Sequence, residues 1–126
     1  MTNSKSLALE AVEAAFSKNA PEPVLLDVGG MASYTDFLLV LSGRSVRQVE
    51  AIAEAIEVGM KERGHDPLGR EGNRGGQWVL IDFGDVVVHV FYHPIREYYD
   101  LEGLWMDAPR VELDVPPELR YANMYG

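Results

Sequence analysis

The chain of 126 residues contains no cysteine, and this absence excludes several kinds of protein. A disulfide framework, a thiolate metal site and a thiol nucleophile all require cysteine. The sequence also lacks an apolar run near the ~20 residues that a membrane-spanning helix needs, and its N-terminus has no apolar signal core. We therefore expect a cytoplasmic protein that makes no membrane contact.

Basic residues are scarce as well. The chain has 11 Lys and Arg against 20 Asp and Glu, a net charge of −9, whereas a nucleic-acid-binding domain has the opposite balance. We therefore expect no direct nucleic-acid binding. Residues 78–126 hold nine acidic and three basic residues, so much of the excess lies toward the C-terminus. This acidic half has two interpretations, simple solubility or attraction of a basic protein partner.

Residues suited to catalysis or metal binding do not cluster in the sequence. His89 and His93 share one face of a predicted strand but lie roughly 13 Å apart at strand spacing, too far for one zinc ion. A glycine turn at Gly29-Gly30 ahead of Asp36 faintly resembles the opening of a nucleotidyltransferase. The second carboxylate that two-metal chemistry requires is missing. We predict no catalytic residue, no metal and no cofactor.

The spacing of apolar residues predicts a single α/β domain, because this length suffices for one core. Helical spacing is found over about 6–18 and 46–61, and strand patterns over 24–28, 37–41, 65–68, 77–83 and 86–93. The continuous apolar run 37–41 is typical of a central strand covered on both faces. A third strand at 65–68 would complete a strand–helix–strand crossover, and glycines favour a loop over 71–76. The expected architecture is a compact mixed β-sheet of about five strands flanked by helices.

An aromatic segment follows the predicted hairpin, whose strands meet at Gly84-Asp85. Pro94 suits the first turn of a helix, which predicts one helix from about residue 95 to 105. At 100° per residue this helix has an apolar stripe formed by Ile95, Tyr98, Tyr99, Leu101 and Trp105, opposite Arg96, Glu97 and Asp100, with Glu102 inside the stripe. A carboxylate is costly to bury without a partner, so the stripe is interpreted as an exposed docking face. Core packing is the better explanation of any single aromatic residue, but the cluster favours a binding hot spot.

Three blocks of sequence resemble the ribosomal silencing factor family, also called Iojap-related. The first covers 33–49 with 51–53, the second 71–72 with 78–91, and the third 96–105, in a match spanning about 7–107. We accordingly expect the family's domain over 1–107 and a proline-rich, mostly irregular tail over 108–126. Tyr34-Thr35 departs from the family pattern, which has smaller residues there.

The resemblance implies a cytoplasmic, non-enzymatic factor that binds the large ribosomal subunit through ribosomal protein L-fourteen. By blocking the small subunit it would repress translation when nutrients are limiting. The implied fold is related to nucleotidyltransferases without their catalytic carboxylates. The partner-binding residues expected by motif position are Trp78, His89, Tyr98, Leu101, Glu102, Leu104 and Trp105.

Two alternatives stay open at this point, a ribosome assembly factor using the same contact and a nucleotidyltransferase-like enzyme. We also expect a homodimer of the free protein, since self-pairing would cover an exposed apolar helix face.

Overall fold

The computed structural model describes residues 3–117. Its helices are α1 Ser4–Phe16, α2 Val46–Glu62, α3 His93–Tyr99 and α4 Leu101–Leu104, and its strands are β1 Val24–Asp27, β2 Phe37–Gly43, β3 Gly69–Gly72, β4 Trp78–Asp82, β5 Val86–Tyr92 and β6 Arg110–Val111. The strands form one six-stranded sheet in the order β3-β4-β5-β2-β1-β6. The predicted mixed sheet flanked by helices is confirmed, with six strands instead of about five.

Strand β2 lies in the middle of the sheet, and all seven of its residues are buried. It pairs in parallel with β5 and antiparallel with β1. The apolar run predicted a strand covered on both faces, and this prediction is confirmed. Helix α2 begins directly after β2, where the Ser45 hydroxyl caps it by accepting a hydrogen bond from the backbone N–H of Gln48 at 3.0 Å.

The third strand is not where the sequence predicted it. The strand predicted at 65–68 is wrong, and the loop predicted over 71–76 begins only at residue 73, because β3 covers Gly69–Gly72 and pairs antiparallel with β4. The crossover through α2 therefore does not bring β3 beside β2, and the parallel neighbour of β2 is β5. All four β3 residues are exposed at the sheet edge, so backbone pairing holds the strand and no apolar pattern marks it.

The two faces of the sheet are covered unequally. Helices α1 and α2 pack on one face and form the main core, to which β5 contributes Val86, Val88 and Val90. The opposite face carries a smaller cluster that includes Val87, with the half-buried Trp105 packed against it. Side chains alternate along a strand, so His89 and Phe91 lie on the less covered face together with Val87.

The single helix predicted over 95–105 is wrong, because the chain breaks it at Asp100. Asp100 has φ 46° and ψ 52°, the left-handed conformation, and its carboxylate accepts a hydrogen bond from the Gly103 N–H at 3.2 Å. Asp tolerates this conformation and competes for backbone N–H groups, so it ends α3 and caps α4. A Cβ at residue 103 would overlap the Asp100 carboxylate, so a larger residue there would displace the side chain that caps α4. The apolar stripe therefore does not continue across residue 100.

The segment after α4 returns to the sheet. Arg110–Val111 forms β6, which pairs with Leu25 and Leu26 of β1, and residues 112–116 have no regular structure. A domain boundary after residue 107 stays a prediction, and the predicted tail beyond residue 117 lies outside the described residues. No helix within residues 3–117 is both long and apolar enough to cross a membrane.

Gly43 ends β2 where the backbone of α2 approaches most closely. A Cβ added there would lie 2.8 Å from the backbone nitrogen of Val49. We expect Gly43→Ala to lower the free energy of unfolding by about 1–3 kcal/mol, measured by urea denaturation, because the helix must shift away from the strand.

Gly30→Ala is the matched control, since a Cβ at Gly30 meets nothing within 4 Å. It should leave stability unchanged within about 0.5 kcal/mol or raise it slightly. Equal losses in the two variants would contradict the close approach at Gly43.

Candidate functional site

The less covered face of the sheet holds an apolar pocket of about 140 Å³. It is lined by Trp78, His89, Phe91, Tyr99, Leu101 and Leu104, which we call the aromatic face. Three elements build it. Trp78 on β4 is paired with Phe91 on β5, His89 lies two residues before Phe91 on the same face, and α3 and α4 supply the rest.

Three rings of the aromatic face are stacked nearly parallel. Trp78 lies 6.1 Å from His89 at 11° and 6.4 Å from Phe91 at 14°, and the His89 and Phe91 centroids are 5.9 Å apart at 8°. The three centroids form a triangle, and Tyr99 is tilted beside one edge of it, 6.3 Å from Trp78 at 38° and 6.0 Å from Phe91 at 31°. Aromatic rings have few rotatable bonds, so this packing gives the pocket stiff, flat walls.

The surroundings of His89 fix its tautomer and keep its ring neutral. The indole Nε1 of Trp78 donates a hydrogen bond to His89 Nδ1 at 3.1 Å, which assigns the ring proton of neutral His89 to Nε2. Burial lowers the pKa of His89 to about 4, because the charged imidazolium is poorly solvated there. The aromatic face is therefore uncharged at neutral pH.

Arg96 ties α3 to the rest of the molecule from a buried position. Its Nε donates to Glu102 Oε1 at 2.6 Å, and its Nη1 donates to Ser42 Oγ at 2.7 Å and to the Glu22 carbonyl at 2.9 Å. These partners belong to α4, to β2 and to the segment before β1. One side chain thus fixes both short helices against the sheet.

The placement of Arg96 and Glu102 corrects the sequence analysis. Arg96 does not face solvent, since it is only 7% exposed, and Glu102 has an internal partner of opposite charge. Arg110 lies nearby as well, 3.7 Å from the second carboxylate oxygen. The break at Asp100 reorients α4, which brings Glu102 to a residue six positions earlier in the chain. The ion pair with Arg96 therefore explains why a carboxylate is present in the apolar stripe, and this carboxylate is no longer evidence that the stripe is exposed.

Four of the seven predicted partner-binding residues line the pocket, namely Trp78, His89, Leu101 and Leu104. Tyr98 stands beside it, 80% exposed, with its ring edge-on to Tyr99 at 5.4 Å. Trp105 packs instead against the small cluster on the sheet, and Glu102 turns toward Arg96. That any of the seven contacts a partner stays a prediction.

Two residues of the aromatic face, Phe91 and Tyr99, are missing from the predicted set. Phe91 has a sequence signal, because strand alternation places it on the same face as His89 and the hairpin register places it opposite Trp78. Tyr99 has none that separates it from Tyr98, since both belong to the apolar stripe. The break at Asp100 decides which tyrosine ring meets the strands.

The surroundings of the aromatic face are exposed and acidic. Tyr98, Leu104 and Met106 are each at least 75% exposed, which is unusual for large apolar side chains lying near one another in sequence. A cleft of about 190 Å³ is lined by Glu22, Glu97, Asp100 and Glu102 together with His93 and Arg96. No group of three or more His, Asp or Glu in the described part of the chain could hold a metal ion. Exposed apolar side chains beside a stiff-walled pocket are typical of surfaces that bind other proteins.

Comparisons with known proteins point to one family. A family model described as "Ribosomal silencing factor during starvation" matches residues 1–124. "Ribosomal silencing factor RsfS" of Halalkalibacterium halodurans is 46% identical over 114 residues, which cover 90% of this chain and 97% of that protein. A crystal structure from Chromobacterium violaceum is similar with a TM-score of 0.80 and 36% identity, covering 91% of this chain and 95% of that one.

A more distant relative carries a different name. "Mitochondrial assembly of ribosomal large subunit protein 1" of Mus musculus is 31% identical over 91 residues, which cover 70% of this chain and 40% of that protein.

Replacing the buried guanidinium should be costly. We expect Arg96→Met to lower the free energy of unfolding by about 3 kcal/mol, because Glu102 loses its nearest cation and Ser42 and the Glu22 carbonyl lose a donor. Urea denaturation measures the change. Arg47→Met, on the exposed side of α2, is the control and should change stability by less than about 0.5 kcal/mol. A similar small effect for both variants would show that Arg96 does not anchor α4.

His89 offers a pH test of the pocket. Its NMR titration in the folded protein should have a midpoint near pH 4 instead of the ordinary 6.5. The unfolded chain takes up this proton more readily, because its His89 has the ordinary pKa of 6.5. The contribution of neutral His89 to the free energy of unfolding is therefore complete above pH 6.5 and is lost as the pH falls toward 4. The loss amounts to roughly 3 kcal/mol, and the non-titrating variant His89→Gln should not show it. A midpoint near 6.5 would contradict the burial of this ring.

Proposed function

This chain belongs to the ribosomal silencing factor family, and from that premise we propose that it binds the large ribosomal subunit and keeps the small subunit from joining it. The contact is ribosomal protein L-fourteen, and the outcome is repression of translation in the cytoplasm under nutrient limitation. The role is steric and needs no catalytic group. The observation that carries the proposal is the aromatic face, a preformed apolar pocket beside exposed Tyr98 and Leu104.

The geometry of this face suits tight protein binding. The residues that carry most of the binding energy of an interface cluster in apolar pockets, often with aromatic walls, from which water is excluded once a partner side chain enters. Ribosomal proteins are basic as a class, so the carboxylates of Glu97 and Asp100 near the pocket would speed their approach, while the apolar contact would slow their dissociation.

Glu102 and Trp105 serve the same function without lining the pocket. The Arg96 ion pair with Glu102 and the packing of Trp105 on the sheet hold the two ends of α4, so that Leu101 and Leu104 are in place before the partner arrives. A preorganised surface loses less conformational entropy on binding, which raises its affinity. In this proposal Glu102 positions the docking residues, and its own contact with the partner is secondary.

The aromatic face would also be covered in a homodimer of the free protein. We propose that dimerisation and ribosome binding exclude each other, because both would bury the same apolar side chains. Adding large subunits should then convert the dimer to monomers bound to the ribosome.

A role in ribosome assembly is the second candidate, favoured by the name of the mouse relative. It would use the same contact at an earlier stage. The two roles differ in what deletion of the gene does, since loss of an assembly factor leaves immature large subunits and loss of a silencing factor leaves mature subunits that join too freely during starvation.

Leu104 and Leu68 allow a matched test of the docking face. They are 75% and 76% exposed, but Leu104 lines the pocket whereas Leu68 contacts the β4–β5 turn at the far end of the hairpin. We expect Leu104→Ala to weaken co-sedimentation with large ribosomal subunits by about tenfold or more, the effect of a hot-spot residue. Leu68→Ala should bind as the wild type does. Equal affinities of the wild type and both variants for large subunits would show that the aromatic face does not contact them.

A further inference from the structure

The arginines within residues 3–117 of this acidic chain fall into two groups. Arg63, Arg70, Arg96 and Arg110 form ion pairs with carboxylates. Arg44, Arg47 and Arg74 are exposed and make no ion pair with any other residue in the range 3–117.

The unpaired arginines meet at one end of the sheet. Arg44 and Arg47 flank the start of α2, and the loop that carries Arg74 packs against the same turn, since a Cβ at Gly76 would lie 2.9 Å from Val46 Cγ1. The end of α1 is joined to it as well, because the Gln48 side chain donates to the Lys18 carbonyl at 3.5 Å. We call Lys18, Arg44, Arg47 and Arg74 the basic corner.

The three segments that meet here contain no acidic residue. Residues 14–21, 43–49 and 72–78 hold all four cations of the basic corner and not one Asp or Glu. The neighbouring Glu50 on α2 is engaged by Arg70, which leaves it paired. Within these three segments the charge is therefore positive, whereas the chain as a whole is negative; Lys18 also lines a cleft with Glu13 and Glu54, so Arg44, Arg47 and Arg74 are the cations on which the corner depends.

The basic corner adjoins the aromatic face. The side-chain oxygen of Asn73 accepts hydrogen bonds from the backbone N–H groups of Gln77 at 2.8 Å and Trp78 at 3.1 Å, so the Arg74 loop is fastened to the first residue of the pocket. Arg74 thus lies beside the aromatic face, whereas Lys18, Arg44 and Arg47 lie at the same end of the sheet on the side covered by α1 and α2.

We propose that the basic corner binds the phosphate backbone of ribosomal RNA next to the protein held by the aromatic face. This inference rests on the proposed ribosome binding and adds a second, chemically different contact to it. Guanidinium groups match phosphate geometry with two parallel hydrogen bonds, and their attraction does not depend on base sequence. The net charge alone predicts no nucleic-acid contact, but the distribution of charge provides one surface where it is favourable.

The salt dependence of binding tests this contact. The affinity of the chain for large subunits is measured against salt concentration at constant magnesium. Each lost phosphate contact lowers the slope of log K against log[salt] by roughly one. We expect Arg47→Gln with Arg74→Gln to reduce the slope by about two and to weaken binding at low salt, with unchanged thermal stability.

Lys5→Gln with Lys61→Gln is the matched control. It removes the same charge from exposed positions at the opposite end of the two-helix layer, where α1 begins and α2 ends. This control should keep the wild-type slope. If both double variants kept that slope while subunit binding persisted, the basic corner would be excluded and the docking face would stand. If the wild type did not bind subunits at all, the proposed function itself would fail.

The absence of cysteine allows a direct identification of the partner. Arg74→Cys provides a single attachment point for a photoactivated cross-linker, and Lys61→Cys provides the control. We expect cross-links from position 74 to ribosomal RNA, mapped by primer extension, and none from position 61. Cross-links from position 74 to ribosomal protein alone would overturn the proposal.

Discussion

The buried ion pair between Arg96 and Glu102 is the contact on which the geometry of the aromatic face depends. Helix α4 has only four residues and none of them is buried, so its own hydrogen bonds do not hold it in place, and it depends on anchors at its two ends, Trp105 on the sheet and Glu102 at Arg96. Arg96 supplies that hold because it reaches β2, the segment before β1 and α4 at once. A buried charge is stable only with partners, and here those partners come from three parts of the chain. The positions of Leu101 and Leu104 follow from this requirement.

Sequence patterns predict the elements whose side chains enter the core. The apolar run of β2, the amphipathic face of α2 and the hairpin around Gly84 follow from burial and turn chemistry, and the structure contains all three. The same reasoning fails for β3, which is held by backbone pairing at the sheet edge, and for the break at Asp100, which depends on one local hydrogen bond. Helical periodicity assumes a continuous helix, so a single left-handed residue at position 100 redirects Glu102, which then meets Arg96.

Sequence patterns predict the part of the candidate site that lies on strands. Trp78, His89 and Phe91 converge because the hairpin register and strand alternation place them on one face. The contributions of α3 and α4 require the tertiary structure. The basic corner is the clearest case, since its cations come from segments more than 20 residues apart and a net charge of −9 conceals them. The net charge of the whole chain does not show which sign of charge a particular surface of the folded molecule carries.

The claim that this chain silences ribosomes is tested most directly by stopped-flow light scattering during subunit joining. Large subunits incubated with a saturating amount of the chain should fail to join added small subunits, and the scattering increase should be lost. If the chain is incubated with the small subunits instead, joining should be blocked only once the chain has had time to bind the large subunits. Normal joining by large subunits that demonstrably carry the chain would contradict the account.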